Sequence, residues 1–444
     1  MADAGRRVTA LRVTCALLVA ALVGAGWSST GAERAAASGP RANDESVVGA
    51  HAGQQWFLGK VPARAVAADP SKAPILLGMI NQEDNPIGSY PQLRAAVEAG
   101  AAWVNSELGG VDGRPIEIRT CISRFAADQS RACALDLIDQ GVVAFVGGVD
   151  VTSDGSYPVL EQRGLASIGG IPANLVEQRS PNAVFFSGGD SGAIAAFMAH
   201  AARHGRHKVA LAYGQEVESF AVAARDYGAV VGRHLGLQVD LIPYSVLTTD
   251  FSPVITRIRE TGADAVVFLA ATSACVPVME GVRDSVAGAQ LYLTGACAAD
   301  ESIDAAGAAS KGVVFNAEGP VDGNDVDASI YQDVVARYAK EPAGGAGTVG
   351  FRGFMNLYAL LRRAGADRAN SATLLRLAHA AVKRPSFWGH PYTCDGQQVP
   401  GLPALCAPQQ ILFTRTPADG RFTAVTKWIA TNELFAAAGV GNGK

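Results

Sequence analysis

Charge is scarce in this 444-residue chain: Asp, Glu, Lys and Arg make up 18% of it, and the formal net charge is only −4. No basic run of five or more residues occurs. That argues against a nucleic-acid partner, whose phosphates call for clustered Lys and Arg. After the first 40 residues no apolar run approaches the ~20 residues needed to cross a bilayer. There is no Cys-x-x-Cys, and no group of His, Asp and Glu at metal-ligand spacing. The G-x-G-x-x-G of a dinucleotide site is missing after the first expected strand, where "GMINQEDNPIG" stands instead. "VGGVDVTSDG", further on, is glycine-rich but has neither that spacing nor the lysine of a phosphate loop. No cofactor and no metal are therefore expected.

What is present is material for a large interior. Hydrophobic residues make up 49% of the chain, and fifty glycines suit many short turns. The length suggests two or three domains. At the start, Arg6, Arg7 and Arg12 precede the uncharged stretch "VTCALLVAALVGAG", Val13 to Gly26, which small residues follow. The stretch is too short for a membrane span and reads as a signal peptide, residues 1–27, with export as the consequence. Cys15 lies inside it without a lipobox, and the paired arginines lack the apolar pair of a twin-arginine signal. Residues 28–72, rich in Ala, Gly, Ser and Pro around the apolar island "QQWFLGKV", read as a linker or N-terminal extension.

Cysteine usage agrees with export. Without Cys15, six remain: Cys121, Cys133, Cys275, Cys297, Cys394 and Cys406. An even set in an exported chain reads as disulfides, and six cysteines can pair in fifteen ways. Proximity favours 121–133, 275–297 and 394–406. The alternative is metal ligation with His390 beside Cys394, although the spacing fits no zinc pattern.

From Pro74 the hydrophobic pattern alternates between strand-like runs and helical periodicity. "ILLGMI", "IEIRT", "VVAFVG" and "LASIGG" read as strands separated by helices. A second series follows with "KVALAYG", "LQVDLIPYS", "ADAVVFLAA" and "AQLYLTG". Such alternation predicts parallel β-α-β units and two α/β lobes. Three more helices are expected near 327–340, 349–365 and 371–383. "QQILFTRTPADGRFTAVTKWIA" then closes the chain as an antiparallel pair.

One string invites a catalytic reading. "SGGDSGA" contains the Gly-Asp-Ser-Gly that surrounds the nucleophile of chymotrypsin-like proteases. Here it opens a helix in an α/β region, and His200, His204 and His207 lie on the same helix and next strand, where they suit a solvated face rather than a triad. Ser191 is expected near the helix start, satisfying a free backbone amide. No enzymatic activity is expected.

The order "ILLGMI", "PIGSY", "AAVEAGAAWVNSELGGVDGRPIEI" and "RACALDLIDQGVVAFVGG" resembles the leucine/isoleucine/valine-binding-protein type of solute-binding protein. The likeness continues through "VTSDGSYPVLEQRGLASIGG", "DFSPVITRIRETGADAVVFLA" and "AQLYLTGACAADESIDAAGAASKGVVF" to about Trp428. It implies a type I periplasmic binding fold: two Rossmann-like lobes with parallel-rich sheets joined by a three-segment hinge. Lobe 1 would be 73–187 plus 318–390, and lobe 2 would be 188–317 plus 391–436, with the third crossing near 385–395. The implied partners are a small-molecule ligand and the membrane permease of an ABC importer, and the protein would be a monomer.

Site residues carried over by the resemblance lie after the strands. In lobe 1 they are Asn85, Ser89 and Tyr90 in the first loop, Thr152 and Ser153 as receivers of a ligand carboxylate, and Gly170, Ala173 and Asn174. In lobe 2 they are Tyr213, Glu216, Glu218, Thr272, Ser273 and Ala296. Thr152 and Ser153 read equally well as plain helix caps. The sequence departs from the family where amino-acid binders carry an acid for the ligand ammonium: "TGACAAD" places Ala296 or Cys297 there. Unless Glu216, Glu218 or Asp300 substitutes, an ordinary branched-chain amino acid is not the expected ligand. A ligand-sensing or interaction protein of the same fold without transport, or an exported hydrolase acting through Ser191, are the competing readings.

Overall fold

The computed structural model describes residues 46–85, 88–321, 323–416 and 420–441, all within one compact unit. The expected signal peptide, with Cys15, and the expected extension up to residue 45 lie outside the described residues.

Two sheets organise the chain. The first holds β1 (Ile75–Gln82), β2 (Ile116–Ser123), β3 (Ala144–Val146), β4 (Ser167–Ile168) and β5 (Ala183–Val184) in the order β2-β1-β3-β4-β5, every pair parallel. The second holds β6 (Lys208–Gly214), β7 (Gln238–Tyr244), β8 (Ala265–Leu269), β9 (Gln290–Leu293), β10 (Val314–Ala317), β11 (Ile411–Arg415) and β12 (Phe422–Ala424) in the order β12-β11-β10-β9-β8-β6-β7. Only β11 and β12 run antiparallel to their neighbours, as the closing pattern of the sequence predicts. In both sheets the series reverses direction beside its first strand, and this is where open α/β sheets form a crevice at their carboxyl edges.

The continuous apolar runs of β1, β6 and β8 follow from burial on both faces. On one face of the first sheet the helices Pro91–Glu107 and Gly347–Ala364 build the core with Trp103, Phe351 and Phe354. They approach closely because Gly100 stands at the contact, where a Cβ would come within 2.7 Å of the Phe354 ring. The other face carries the helix Ala127–Asp139. The second sheet is covered by Gly189–Arg203 and Thr431–Ala438 on one face, and by Ser252–Thr261 and Cys275–Ser285 on the other. The helical stretch "SFAVAARDYGAVVGRHLG" is interrupted by a π-helical turn at Ala223–Gly228. There Gly228 meets Ile194, whose Cγ2 would be 2.4 Å from an added Cβ.

Two sequence expectations are corrected. From Ser46 onward the supposed linker is packed structure: Val47, Val48, Trp56 and Val61 are buried in the first core. Trp56 stacks edge-on against Trp103, with centroids 5.9 Å apart, and the buried Glu107 carboxylate accepts bonds from the amides of Val47 and Val48. A stretch that is Ala- and Gly-rich overall hides an island large enough to dock. The third crossing also falls later than 385–395. Cys394, Cys406 and Ala407 still belong to the first core, and β11 begins at Ile411. A loop from 394 to 406 is interposed.

The three disulfides pair as proximity suggests: Cys121–Cys133, Cys275–Cys297 and Cys394–Cys406. With both thiols oxidised, Cys394 is no metal ligand, and His390 packs edge-on against Trp428 instead. No group of His, Cys, Asp or Glu suited to a metal occurs among the described residues. None of the described helices is long and apolar enough to cross a membrane.

Candidate functional site

The carboxyl edges of the two sheets face each other. Ser219, in the first turn after β6, donates its hydroxyl to the Ala173 carbonyl after β4 at 2.8 Å. The Tyr90 phenol, after β1, reaches Thr272, after β8. Gly345 lies beside Ala299, after β9. The expected ligand loops thus meet across one seam.

In the first lobe those loops are held from below by two buried amides at the end of β1. Asn81 donates to the Tyr90 carbonyl at 2.9 Å and accepts from the Val149 amide at 3.2 Å. Gln82 donates to the Gly88 carbonyl at 2.7 Å and accepts from Val151 at 3.4 Å. The loops after β1 and β3 are thereby clamped together. Asp150, also buried, accepts from the hydroxyls of Ser123, Ser130 and Thr152. Burial nevertheless raises its pKa above the usual carboxylate range. Glu177 accepts from the amides of Ala173 and Asn174 and so shapes the loop after β4. Its own pKa is pushed up to about 8, first by burial. Between Asp150, Tyr157 and Glu177 lies a small cavity of about 30 Å³, room for a bound water.

Placed in this frame, the candidates separate. Tyr90 and Thr272 sit in the seam, and Ala173 contributes its carbonyl to it. Thr152 is half-buried with its hydroxyl on Asp150, whereas Ser153 is fully buried beside Glu177 and beneath the loop surface. Asn174 caps the helix Leu175–Arg179 and donates to the Val151 carbonyl at 2.8 Å. Gly170 has φ +88°, and a Cβ there would strike the Gly148 carbonyl, so it is required for backbone approach. Asn85 is half-buried near the Arg124 carbonyl, and the exposed Ser89 accepts from the Asp84 amide. In the second lobe Tyr213 is buried in the core. Glu216 accepts from Val246 within its own lobe, and Glu218 is exposed. Ser273 is exposed and Ala296 half-buried. The disulfide Cys275–Cys297 staples the loops after β8 and β9, the two that carry Thr272, Ser273 and Ala296. Asp300 is engaged by Arg415.

The passages between the lobes converge on Glu318. Its carboxylate accepts from the Ser187 hydroxyl at 2.5 Å and the Gly188 amide at 3.0 Å in the first passage. It also accepts from Gln410 at 3.3 Å in the third, and from Arg352 at 2.5 Å. A few residues away Asp190 makes no hydrogen bond or ion pair among the described residues. Its pKa is pushed up to about 7, first by burial and then by the charge of Glu318. The 394–406 loop lies alongside. Ala404 and Cys406 pair with Phe185, while Pro400 accepts from Tyr227 of the second lobe.

A serine triad does not form. Gly188, not Ser191, is the N-cap residue of the helix Gly189–Arg203, and the hydroxyl that receives a first-turn amide, Gly189's, is that of Ser187, at 2.9 Å. Ser191 is buried, and His200 stands nine residues along, about 13 Å by helical rise. The His200 ring is engaged by Tyr292 at 2.9 Å.

Sequence reasoning missed Asn81, Gln82, Asp150, Glu177, Asp190 and Glu318. One signal was available: two amides ending the apolar run "ILLGMINQ", since buried polar groups are kept where they are satisfied.

Two α/β lobes with facing carboxyl edges, joined by three chain passages, define a bilobal binding protein of the type I periplasmic fold. Residues 74–396 match the family model described as "Periplasmic binding protein", and the chain belongs to that family. Its members bind solutes and are not enzymes. No curated protein matches the chain. Solved structures resemble it at low identity. The leucine-binding protein LivK of Thermotoga maritima is 17% identical, with a TM-score of 0.66 over 80% of this chain and 98% of that one. A solute-binding protein of R. palustris in complex with 4-hydroxybenzoate is 17% identical, with a TM-score of 0.69 over 80% and 97%. A branched-chain amino acid transporter protein of Thermus thermophilus with bound valine is 16% identical, with a TM-score of 0.69 over 84% and 99%.

Proposed function

We propose that this protein captures a small polar or carboxylate-bearing solute between its lobes, outside the cytoplasmic membrane, and hands it to the permease of an ABC importer. One observation carries the reading: the loops at the carboxyl edges of both sheets meet across a single seam, with Ser219 bonded to Ala173 and Tyr90 reaching Thr272. A solute bound there touches both lobes and favours the closed arrangement by the difference in its contacts between open and closed. The first-lobe loops present hydroxyl and amide groups, and the Asn81 and Gln82 clamp keeps them in place before binding. The division we propose is lobe 1 as 46–187 plus 318–393 and lobe 2 as 188–317 plus 411–436, with the loop from 394 to 407 packed between them. The similar structures include a leucine-binding protein, one with bound valine and one in complex with 4-hydroxybenzoate, which spans amino acids and aromatic acids.

Thermal-shift screening of purified protein against amino acids, amides, urea, polyols and aromatic acids tests this. A solute that binds only the folded state raises the melting temperature in a saturable way. A protein that responds to none of these classes would contradict the proposal.

A further inference from the structure

Residues 394–406 form a ring, closed by the Cys394–Cys406 disulfide and by the Thr393 amide, which donates to the Cys406 carbonyl at 3.1 Å. The two ends of the ring are fixed to the first lobe by main-chain bonds. The Cys394 amide donates to Ala381 at 3.1 Å, the Phe185 amide to Ala404 at 2.8 Å, the Ala404 amide to Gln178 at 3.2 Å and the Cys406 amide to Phe185 at 2.9 Å. The tip is folded on itself, because the Asp395 carboxylate accepts from the Gln397 amide and the Gln398 side chain. It meets the second lobe through side chains instead. The Tyr227 phenol donates to the Pro400 carbonyl, and Val399 and Leu402 are buried. One apolar cluster runs from Leu175 and Phe185 of the first lobe through Val399 and Leu402 to Tyr227 and Phe435 of the second. Tyr227 stands on the same helical stretch as Ser219, which bonds to Ala173 across the seam. A movement that takes Ser219 away from Ala173 therefore pulls Tyr227 off Pro400, or drags the ring against its main-chain bonds.

We propose that the 394–406 ring is a clasp: it is anchored on the first lobe, latches onto the second and limits how far the two can part. The unequal anchoring gives the direction. A disulfide and main-chain bonds hold the ring to the first lobe, whereas one hydroxyl and an apolar tip hold the second, so release occurs at the tip. Parting the lobes there uncovers Val399 and Leu402, and returning apolar surface to water is unfavourable. The clasp thus weights the molecule towards the closed arrangement. A solute that needs that arrangement gains apparent affinity in proportion to its population, without being touched by the ring. The conformational part stands without the binding function proposed above, and the effect on affinity rests on it.

Small-angle X-ray scattering of the full, solute-free protein tests the first part, and calorimetry with the solute giving the largest thermal shift tests the second. V399A/L402A, which shrinks the tip, should have a larger radius of gyration than wild type and bind the solute about fivefold or more weakly. C394S/C406S, which opens the ring at its neck, should act in the same direction. An oxidised cross-link between A173C and S219C, added to V399A/L402A, should return the radius to that of wild type, which a general loosening of the fold would not allow. A radius unchanged from wild type in folded V399A/L402A overturns the clasp, whether or not a solute is found, and leaves the binding function standing. A larger radius with unchanged affinity overturns its link to binding. Should V399A/L402A fail to fold, Y227F, which loses a single hydroxyl, decides by the same comparison.

Discussion

Two carboxylates lie within electrostatic reach of one another and have opposite surroundings. Glu318, at the hinge, gathers donors from two chain passages and from Arg352. Asp190, two residues beyond Gly188, gathers none among the described residues. Burial is similar in kind, so the difference lies in what satisfies it. The hinge acid is completed by the fold, whereas Asp190 has its pKa pushed up by burial and by the charge of Glu318. The same contrast runs through the molecule more widely. Below the first-lobe loops Asn81, Gln82, Asp150 and Glu177 are bonded to backbone and hydroxyls, while the loop surface meets the other lobe through point contacts such as Ser219 to Ala173, Tyr90 to Thr272 and Gly345 beside Ala299.

The contrast is broken most severely at the hinge. E318A leaves Arg352, which is almost wholly buried, without its counter-charge, and should cost about 3–5 kcal/mol of stability in a denaturant titration. E318Q should lose less, because the amide oxygen can still accept. The next largest effect is expected from removing the staple of the second-lobe loops. C275S with C297S should cost roughly 3 kcal/mol and weaken solute binding together, whereas a variant lacking Cys121–Cys133 should lose stability with affinity less affected.

The sign reverses at Asp190. The folded pKa of Asp190 is raised above its unfolded value of 3.8 to about 7, so the folded state binds the proton more tightly. Its contribution is favourable at low pH and is lost as pH rises towards 7. D190N removes that loss. At pH 8, without solute, the variant should be more stable than wild type by about 1–2 kcal/mol, less than the whole shift because part of the residue still meets solvent. By pH 4 the two should converge. Neutralising one acid thus destabilises and neutralising the other stabilises, and equal effects of E318Q and D190N would erase the distinction between them. The smallest effect is expected for Y90F, which loses the phenol that reaches Thr272, at roughly 0.5–1.5 kcal/mol.

Much of the fold was legible because it is written locally. Strand and helix periodicities, the closing antiparallel pair and the short-range cysteine pairs need no information beyond a few tens of residues. The ligand loops could be located for the same reason, since they follow the strands. What escaped depends on distant partners. Trp56 looked like an island in a linker because its core partner Trp103 is 47 positions away. Glu318 has no local pattern, and its role arises only when 187–188, 352 and 410 come together. Asp190 was overlooked because the string around it drew attention to Ser191. The 394–406 loop displaced the third crossing since nothing in its composition shows that it is bonded to both lobes.

The central claim is that the two carboxyl edges must part to admit a solute. Replacing Ala173 and Ser219 with cysteine puts a thiol on each side of the seam, where Ser219 now bonds to Ala173. The account predicts that the oxidised double variant no longer responds to the compound giving the largest thermal shift in wild type, and that reduction restores the response. An oxidised, cross-linked protein that binds the compound as wild type does would contradict it.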